Sequence, residues 1–262
     1  MHDYWHKQAI DKPLYPDLLW SRPENIRASG KLLIIGGNFN GITNVLRAYD
    51  ESKRAGIGTR RVILPDVTKK VIGNFSEDII FANSTNSGSF SKSALGAFIE
   101  SSEWADAVLL AGQFGKSSET SILLESFIAK TTKPLILASD SVEHILHMPV
   151  LVPKNVLAVV TEFKLLQKLT NKYVSRHPIT SNLALVNFIE NLHLISMEAK
   201  ILISTVFQDT LVSAYSGEIV SSRFNNDANW HINFSSHVST WLAQQNSKLI
   251  EALSCAQITY LK

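Results

Sequence analysis

Cysteine is almost missing from this chain: one residue in 262, Cys255. A lone thiol excludes an intramolecular disulfide and any zinc-finger spacing, so a reducing cytoplasm is the expected compartment. A dominant charge is lacking too. Twenty-five Lys and Arg against 23 Asp and Glu give a formal net +2, with no long run of either sign, and neither a nucleic-acid binder nor a membrane-surface binder is expected. No stretch reaches the roughly 18 apolar residues that a spanning helix needs. The opening Met1-His2-Asp3-Tyr4-Trp5-His6-Lys7 has no signal-peptide core. Internal repeats, low-complexity tracts and a G-x-S-x-G elbow are all missing. His144 and His147 share a helical face without the glutamate of H-E-x-x-H, so no metal site is expected. What remains is a small-molecule partner.

With 45% hydrophobic and 18% charged residues, the chain has material for a full core. Residues 30–262 read as one α/β domain behind an N-terminal arm, residues 1–29. The arm mixes Pro13, Pro16 and Pro23 with Tyr4, Trp5, Tyr15 and Trp20, which predicts an extended segment pinned by aromatic rings rather than regular structure. In the body, Lys31–Ile35 predicts a strand that meets glycines and then a helix running to Ala55-Gly56. Arg61–Leu64 predicts the next strand, and Ser91–Ser101 a helix after the exposed stretch from Asn83 to Ser89. Asp106–Leu110, a glycine-bearing loop, a helix over Ser118–Ala129 and a strand over Leu135–Ala138 make a βαβ unit, which requires a parallel sheet. Val156–Val160 predicts a further strand. Thr161 and Ser181 are the predicted caps of two later helices. Lys200–Ser204, Thr210–Tyr215 and Glu218–Ser221 change the rhythm to turn-linked strands, hence an antiparallel edge. A helix from about Ser236 through Leu253 closes the chain.

In open α/β sheets ligands settle beyond the carboxyl ends of the strands, where helix N-termini aim unpaired N–H groups at them. Two loops lie there: Gly36-Gly37-Asn38 and Gly112-Gln113-Phe114-Gly115-Lys116-Ser117. Neither completes a fingerprint. Asn38 stands where G-x-G-x-x-G requires its second glycine, and Leu110 stands where the P-loop pattern requires its first. Gly112 and Gly115 can equally turn the chain while Ser117 or Ser118 caps the helix. Asp140, after the Leu135–Ala138 strand, is either a carboxylate facing the cleft or a cap ahead of His144. Cys255 falls on an apolar terminal helix, where burial is expected rather than reactivity.

In order, Gly30–Asn38, Lys53-Arg54-Ala55-Gly56-Ile57-Gly58, Ala107–Gly115 with Ser118-Glu119-Thr120, and Pro134–Asp140 resemble segments of the ribokinase-like superfamily, and within it the ADP- or ATP-dependent NAD(P)H-hydrate dehydratases. The likeness covers residues 20 to about 170. It implies a three-layer α/β/α sandwich with a mainly parallel central sheet and antiparallel edge strands. It also implies ADP or ATP with Mg as cofactor, a nucleotide or nicotinamide-derived ligand, and self-association into a homo-oligomer.

The sequence departs from the family at its most specific motifs. Ala111, Gly112 and Gln113 stand where Gly, Pro and Gly belong; Val160-Thr161-Glu162-Phe163-Lys164-Leu165 keeps neither the histidine nor the acid of the family's segment. Ser204-Thr205 replaces its Lys-Gly, and Phe234-Ser235-Ser236-His237-Val238 stands where Gly-Ser-Gly-Asp should begin the last long helix. The candidate ligand-binding residues are therefore Gly36, Gly37, Asn38, Asn44, Gly112, Gly115, Lys116 and Ser117, and the candidates for proton transfer are Asp140 and His237. The functions in view are repair of hydrated NAD(P)H (a lyase), phosphorylation of a small metabolite, or a binding or scaffold role kept after catalysis was lost.

Overall fold

Runs of apolar residues too long for a half-exposed strand require a sheet covered on both faces. In β2 (Lys31–Gly36) and β5 (Ala107–Gly112) this is realised: every residue but Lys31 is buried. The computed structural model describes residues 3–73, 77–148, 157–174 and 176–262. Val156, the expected start of a strand, lies outside them. The remaining strands are β1 (Trp5–Gln8), β3 (Thr59–Pro65), β4 (Ile79–Ala82), β6 (Leu135–Ala138), β7 (Leu157–Val160), β8 (Leu202–Phe207), β9 (Thr210–Tyr215) and β10 (Glu218–Arg223). Among the described residues they form one ten-stranded sheet, ordered β1-β10-β9-β8-β7-β6-β5-β2-β3-β4. Seven neighbours from β4 to β8 run parallel, whereas β9 runs against both β8 and β10.

Alternation along the strands feeds two cores. Leu33, Ile35, Val108 and Leu110 face helices α4 (Leu95–Trp104), α5 (Ser118–Lys130), α6 (Ser141–Ile145), α7 (Phe163–Tyr173) and α8 (Leu185–Ala199). Leu32, Ile34, Ala107 and Leu109 face α2 (Thr43–Arg54), α9 (Trp230–Gln244) and α10 (Leu249–Leu261), with short α1 (Pro16–Trp20) and α3 (Lys69–Ile72) on the same side. This is the three-layer sandwich expected from the sequence.

Several expectations are corrected. The arm is not free of regular structure: Trp5–Gln8 pairs in parallel with Ile219–Ser222 as an edge strand. Trp5 Nε1 donates to Ser221 Oγ at 2.8 Å, and Gln8 is buried against Ser254 and Gln257. Strand β4 was not anticipated, because four apolar residues between Asp78 and Asn83 carry too little pattern. Glu162 and Ala184, not Thr161 and Ser181, occupy the caps of α7 and α8. The closing helix is two, interrupted at Gln245–Lys248, where Gln245 turns extended.

A buried polar ladder ties α10 to the sheet. Gln257 Nε2 donates to Ser213 Oγ at 2.9 Å, Ser222 Oγ donates to Gln257 Oε1 at 2.7 Å, and Ser204 Oγ meets Ser213 Oγ at 2.8 Å. Such groups are tolerated in a core because each finds a partner. No helix among the described residues is long and apolar enough to cross a membrane.

Candidate functional site

The chain leaves β2 for α2 on one face and leaves β5 for α5 on the opposite face, although the two strands are paired neighbours. Their loops must part, and the crevice opened there is where ligands of open α/β sheets bind. A cleft of about 840 Å³ occupies it, lined by Asn38, Asn40, Gly41, Gln113, Gly115 and Lys116 from the two loops, Ser118, Ser121 and Ile122 from α5, and Asp140, Glu143, His144 and His147 around α6.

Backbone geometry fixes its floor. Gly36 and Gly112 pair where the β2/β5 register shifts, and Gly37 N donates to Gly112 O at 2.9 Å. A Cβ on Gly36 would stand 2.6 Å from Gly112 O, and one on Gly112, at φ +85°, would strike Asp140 Oδ1. These glycines are therefore needed for close approach. Gln113 holds φ +60° and Ser139 φ +56°, conformations that side chains other than glycine adopt only when their surroundings hold them there.

Gln113 is the hub. Its main-chain O accepts from Asn38 Nδ2 at 2.6 Å, its Oε1 accepts from Asn44 N at 2.9 Å, and its N donates to Asp140 Oδ1 at 2.6 Å. The bond to Asn44 N caps the first turn of α2 from another loop, because Ile42 at that cap has no side-chain acceptor. Burial pushes the Asp140 carboxyl above its ordinary range, against the pull of the N–H groups of Gln113, Asp140 itself and Phe114. A desolvated carboxylate beside a cleft is chemically suited to accept a proton. Across from it, Ser121 Oγ lies 2.9 Å from His144 Nδ1, and burial, then the neighbouring His147, holds that imidazole below its ordinary value and so in its neutral form at pH 7.

Of the residues singled out by sequence, Asn38, Gly115, Lys116 and Asp140 line the cleft. Gly36, Gly37 and Gly112 are buried in its floor. Asn44 supports that floor, with Nδ2 3.3 Å from Ala111 O and 3.4 Å from Ser139 Oγ. Ser117 caps α5, its Oγ accepting from Thr120 N. His237 is elsewhere. The sequence reading set it at a helix start, but α9 begins at Trp230, so His237 lies two turns inside the helix, facing α2 and α10. Its Nδ1 meets Thr259 Oγ1 at 2.9 Å and its Nε2 meets Glu51 Oε1 at 3.2 Å. That pairing fits a neutral ring donating from Nε2, consistent with burial driving its pKa down despite the carboxylate. His237 is an interface residue of the helical layer. Sequence reasoning overlooked the roles of Gln113, Ser121 and His144; Gln113 lay in plain view between two glycines, whereas the Ser121–His144 pair joins different helices and had no local signal.

The first turn of α9 is another place where the sheet's carboxyl edge meets a helix N-terminus. Asn229 occupies the cap, Trp230 is 8% exposed, and no glycine follows Gly217 in the chain. The Asp227 carboxylate there accepts from Asn229 N, Asn233 Nδ2 and Tyr260 Oη at 2.8–2.9 Å. Bulky Trp230 and a fully engaged Asp227 do not fit a nucleotide polyphosphate with Mg. Among the described residues, no cluster of three or more His, Cys, Asp or Glu side chains is arranged to hold a metal ion.

A three-layer sandwich with its cleft at the switch between β2 and β5 defines the class; comparison with known proteins narrows it. No family model and no curated sequence matches the chain. Solved structures do. A ribokinase-like superfamily protein from Enterococcus faecalis superposes with TM-score 0.71 at 14% identity, covering 98% of this chain and 86% of that one. The ADP/ATP-dependent NAD(P)H-hydrate dehydratase from Bacillus subtilis, co-crystallised with ATP and Mg2+, gives 0.67 at 11%, covering 94% and 86%. A phosphomethylpyrimidine kinase from Clostridium difficile gives 0.51 at 12%, covering 87% and 97%. The fold is ribokinase-like, as the sequence resemblance implied.

Proposed function

We propose that this protein binds a small nucleotide- or nicotinamide-derived molecule in the cleft between Asn38 and His147, on a ribokinase-like scaffold that has given up the superfamily's phosphate-handling helix start. The observation that carries the reading is the cleft itself: a preformed crevice at the β2/β5 switch, lined by side-chain amides, with Lys116 at its rim. The likeness in fold to a NAD(P)H-hydrate dehydratase supports the ligand class. Calorimetric titration with NADH, hydrated NADH, ADP and ATP tests it. Binding of at least one of these, weakened by Asn38→Ala and by Lys116→Ala, is expected; no heat with any of the four rejects it.

A second reading is turnover, either ADP- or ATP-dependent dehydration of hydrated NAD(P)H or phosphorylation of a hydroxylated metabolite. The desolvated Asp140 carboxyl favours it. Cofactor recovery or ATP consumption that is lost in Asp140→Ala would establish turnover, and its absence leaves the protein a non-catalytic binder. The single cysteine, Cys255, supports a reducing cytoplasm as the compartment. Trp20, 88% exposed, and Ile26, 67% exposed, support self-association, which light scattering measures.

A further inference from the structure

A hydroxyl group becomes a nucleophile when a neutral imidazole can take its proton and hydrogen-bond donors await the charge that develops on the group it attacks. The cleft holds both. Ser121, in the first turn of α5, and His144, on α6, line it together, with Ser121 Oγ 2.9 Å from His144 Nδ1. The serine is half-buried, whereas the imidazole is 7% exposed and its ring stands edge-on to Phe114, 5.9 Å between centroids. The hydroxyl's other contact, to Ser117 O, is longer at 3.3 Å. Three charged or titratable groups act on His144: His147 opposes a positive charge there, while Glu143 and Glu125 favour it. Burial outweighs them and keeps the ring neutral at pH 7. A base that rests neutral, with carboxylates near enough to steady its protonated form, is suited to taking a proton and passing it on.

Donors lie beside the pair. Among the described residues, the N–H groups from Gly115 to Glu119 have no acceptor inside the protein, and they sit at and just before the start of α5. Thr120 N is the first to be met, by Ser117 Oγ at 3.5 Å. The lining then divides by polarity. Ile122, next to the serine, is apolar and 45% exposed, and Asn38, Asn40 and Gln113 offer side-chain amides.

We propose that Ser121 and His144 are the nucleophile and base of an activity beyond ligand binding, the hydrolysis of a small carboxylic ester, with the free N–H groups at the start of α5 holding the oxyanion. Ser121 Oγ adds to the carbonyl carbon as its proton passes to His144 Nδ1. The tetrahedral intermediate collapses by breaking the bond to the alcohol oxygen, and the alcohol leaves with that proton. Water repeats the sequence on the acyl-serine, which releases the carboxylic acid and restores the Ser121 hydroxyl. The acyl group lies against Ile122 and the alcohol among the amides. The reaction consumes water alone, which separates it from any turnover that needs ADP or ATP.

Two reagents test this on the full chain: p-nitrophenyl acetate as the ester, and diisopropyl fluorophosphate as a label for an activated serine. Release of p-nitrophenolate above the buffer rate is expected, together with a single label located at Ser121 by peptide mass spectrometry. Ser121→Ala should abolish both, and His144→Gln should slow both about a hundredfold or more, whereas Ser126→Ala, further along α5, should change neither. The labelling rate should rise with pH and level off below the ordinary 6.5 of histidine, a profile that a purely structural His144 would not produce. Labelling of the unaltered protein keeps the test valid even where a variant does not fold. No label and no hydrolysis above buffer, a label on another residue, or hydrolysis unchanged in Ser121→Ala overturns the inference. Each of these results leaves nucleotide or nicotinamide binding standing, because calorimetry reads that separately.

Discussion

Substituting Gly112 by alanine probes the floor of the cleft directly. Glycine at φ +85° permits a left-handed turn, and a Cβ there would overlap Asp140 Oδ1 and stand 2.9 Å from Ser139 Cβ. Holding alanine in that conformation costs ~1–2 kcal/mol. Pushing the carboxylate away strips the half-buried Gln113 N–H of its acceptor, a further ~1–3 kcal/mol. A total near 3 kcal/mol, spread over an unfolding entropy of ~2.1 cal/mol/K per residue for 262 residues, lowers Tm by about 5 °C. Thermal unfolding followed by circular dichroism reads this. Gly96, in the exposed start of α4 with nothing within 4 Å of its added Cβ, is the control: Gly96→Ala should raise stability by ~0.5–1 kcal/mol. The decisive measurement is the Gly112→Ala, Asp140→Ala double variant, whose destabilisation should fall short of the sum of the singles by at least ~1 kcal/mol. Strict additivity, or a Tm change under about 1 °C in Gly112→Ala, refutes the assignment of Asp140 to the Gln113 cradle.

Burial pushes His144, His231 and His237 below the ordinary 6.5. Each takes a proton in the unfolded chain before it does in the folded one, so stability is full above that value and declines as pH falls through it. Glu51, held low chiefly by its hydrogen bond with His237, adds to the loss at lower pH. Urea midpoints should drop between pH 7.5 and pH 5, less steeply in His237→Gln; an unchanged slope in that variant removes His237 from the account. Gln257→Leu leaves the Ser222 hydroxyl without its acceptor in a closed core and should cost ~2–4 kcal/mol in urea unfolding, whereas a cost below ~1 kcal/mol would show that the ladder contributes little. The Cys255 thiol, buried and pushed up to about 12, should resist iodoacetamide at pH 8 until the protein unfolds, and alkylation of the native protein at the rate of a free thiol contradicts that burial.

The parallel core of the fold was legible because its strands are short uninterrupted apolar runs between turn residues. Leu135–Ala138 falls where its run puts it, as does Thr210–Tyr215 in the antiparallel part, and the βαβ order fixed the direction of pairing in the parallel part. The edges were not legible. Trp5–Gln8 becomes a strand only because β10 offers it a partner, a contact across 200 residues that no local window contains. The helix after β10 was set too late because its apolar face is strongest from Val238 onward, while the true start is marked only by the Asp227-Ala228-Asn229 turn. At the cleft, both glycine loops were readable, and so was the position of Asp140 at the end of β6. The use to which the loops are put was not. Whether an N–H group awaits a ligand or holds an internal carboxylate depends on a bond such as Gln113 N to Asp140, spanning 27 residues, and spacing alone leaves both outcomes open.

The contacts that fasten the helical layer over one face of the sheet are set apart from the cleft. Helices α9 and α10 are fastened on the face away from α5 and α6, through the Gln257 ladder, through His237 with Glu51 and Thr259, and through Trp241, whose Nε1 donates to Thr259 Oγ1 at 3.0 Å. None of those side chains lines the cleft. Trp230, at the start of α9, therefore adds apolar burial to one core without disturbing the other. Trp230 packs edge-on against Phe224, 6.3 Å between centroids. A backbone cradle left empty beneath such packing would hold unpaired N–H groups, at ~1–3 kcal/mol each when buried. The carboxylates of Asp140 and Asp227 accept from Gln113 N and Asn229 N, so these two turns are held by bonds internal to the chain.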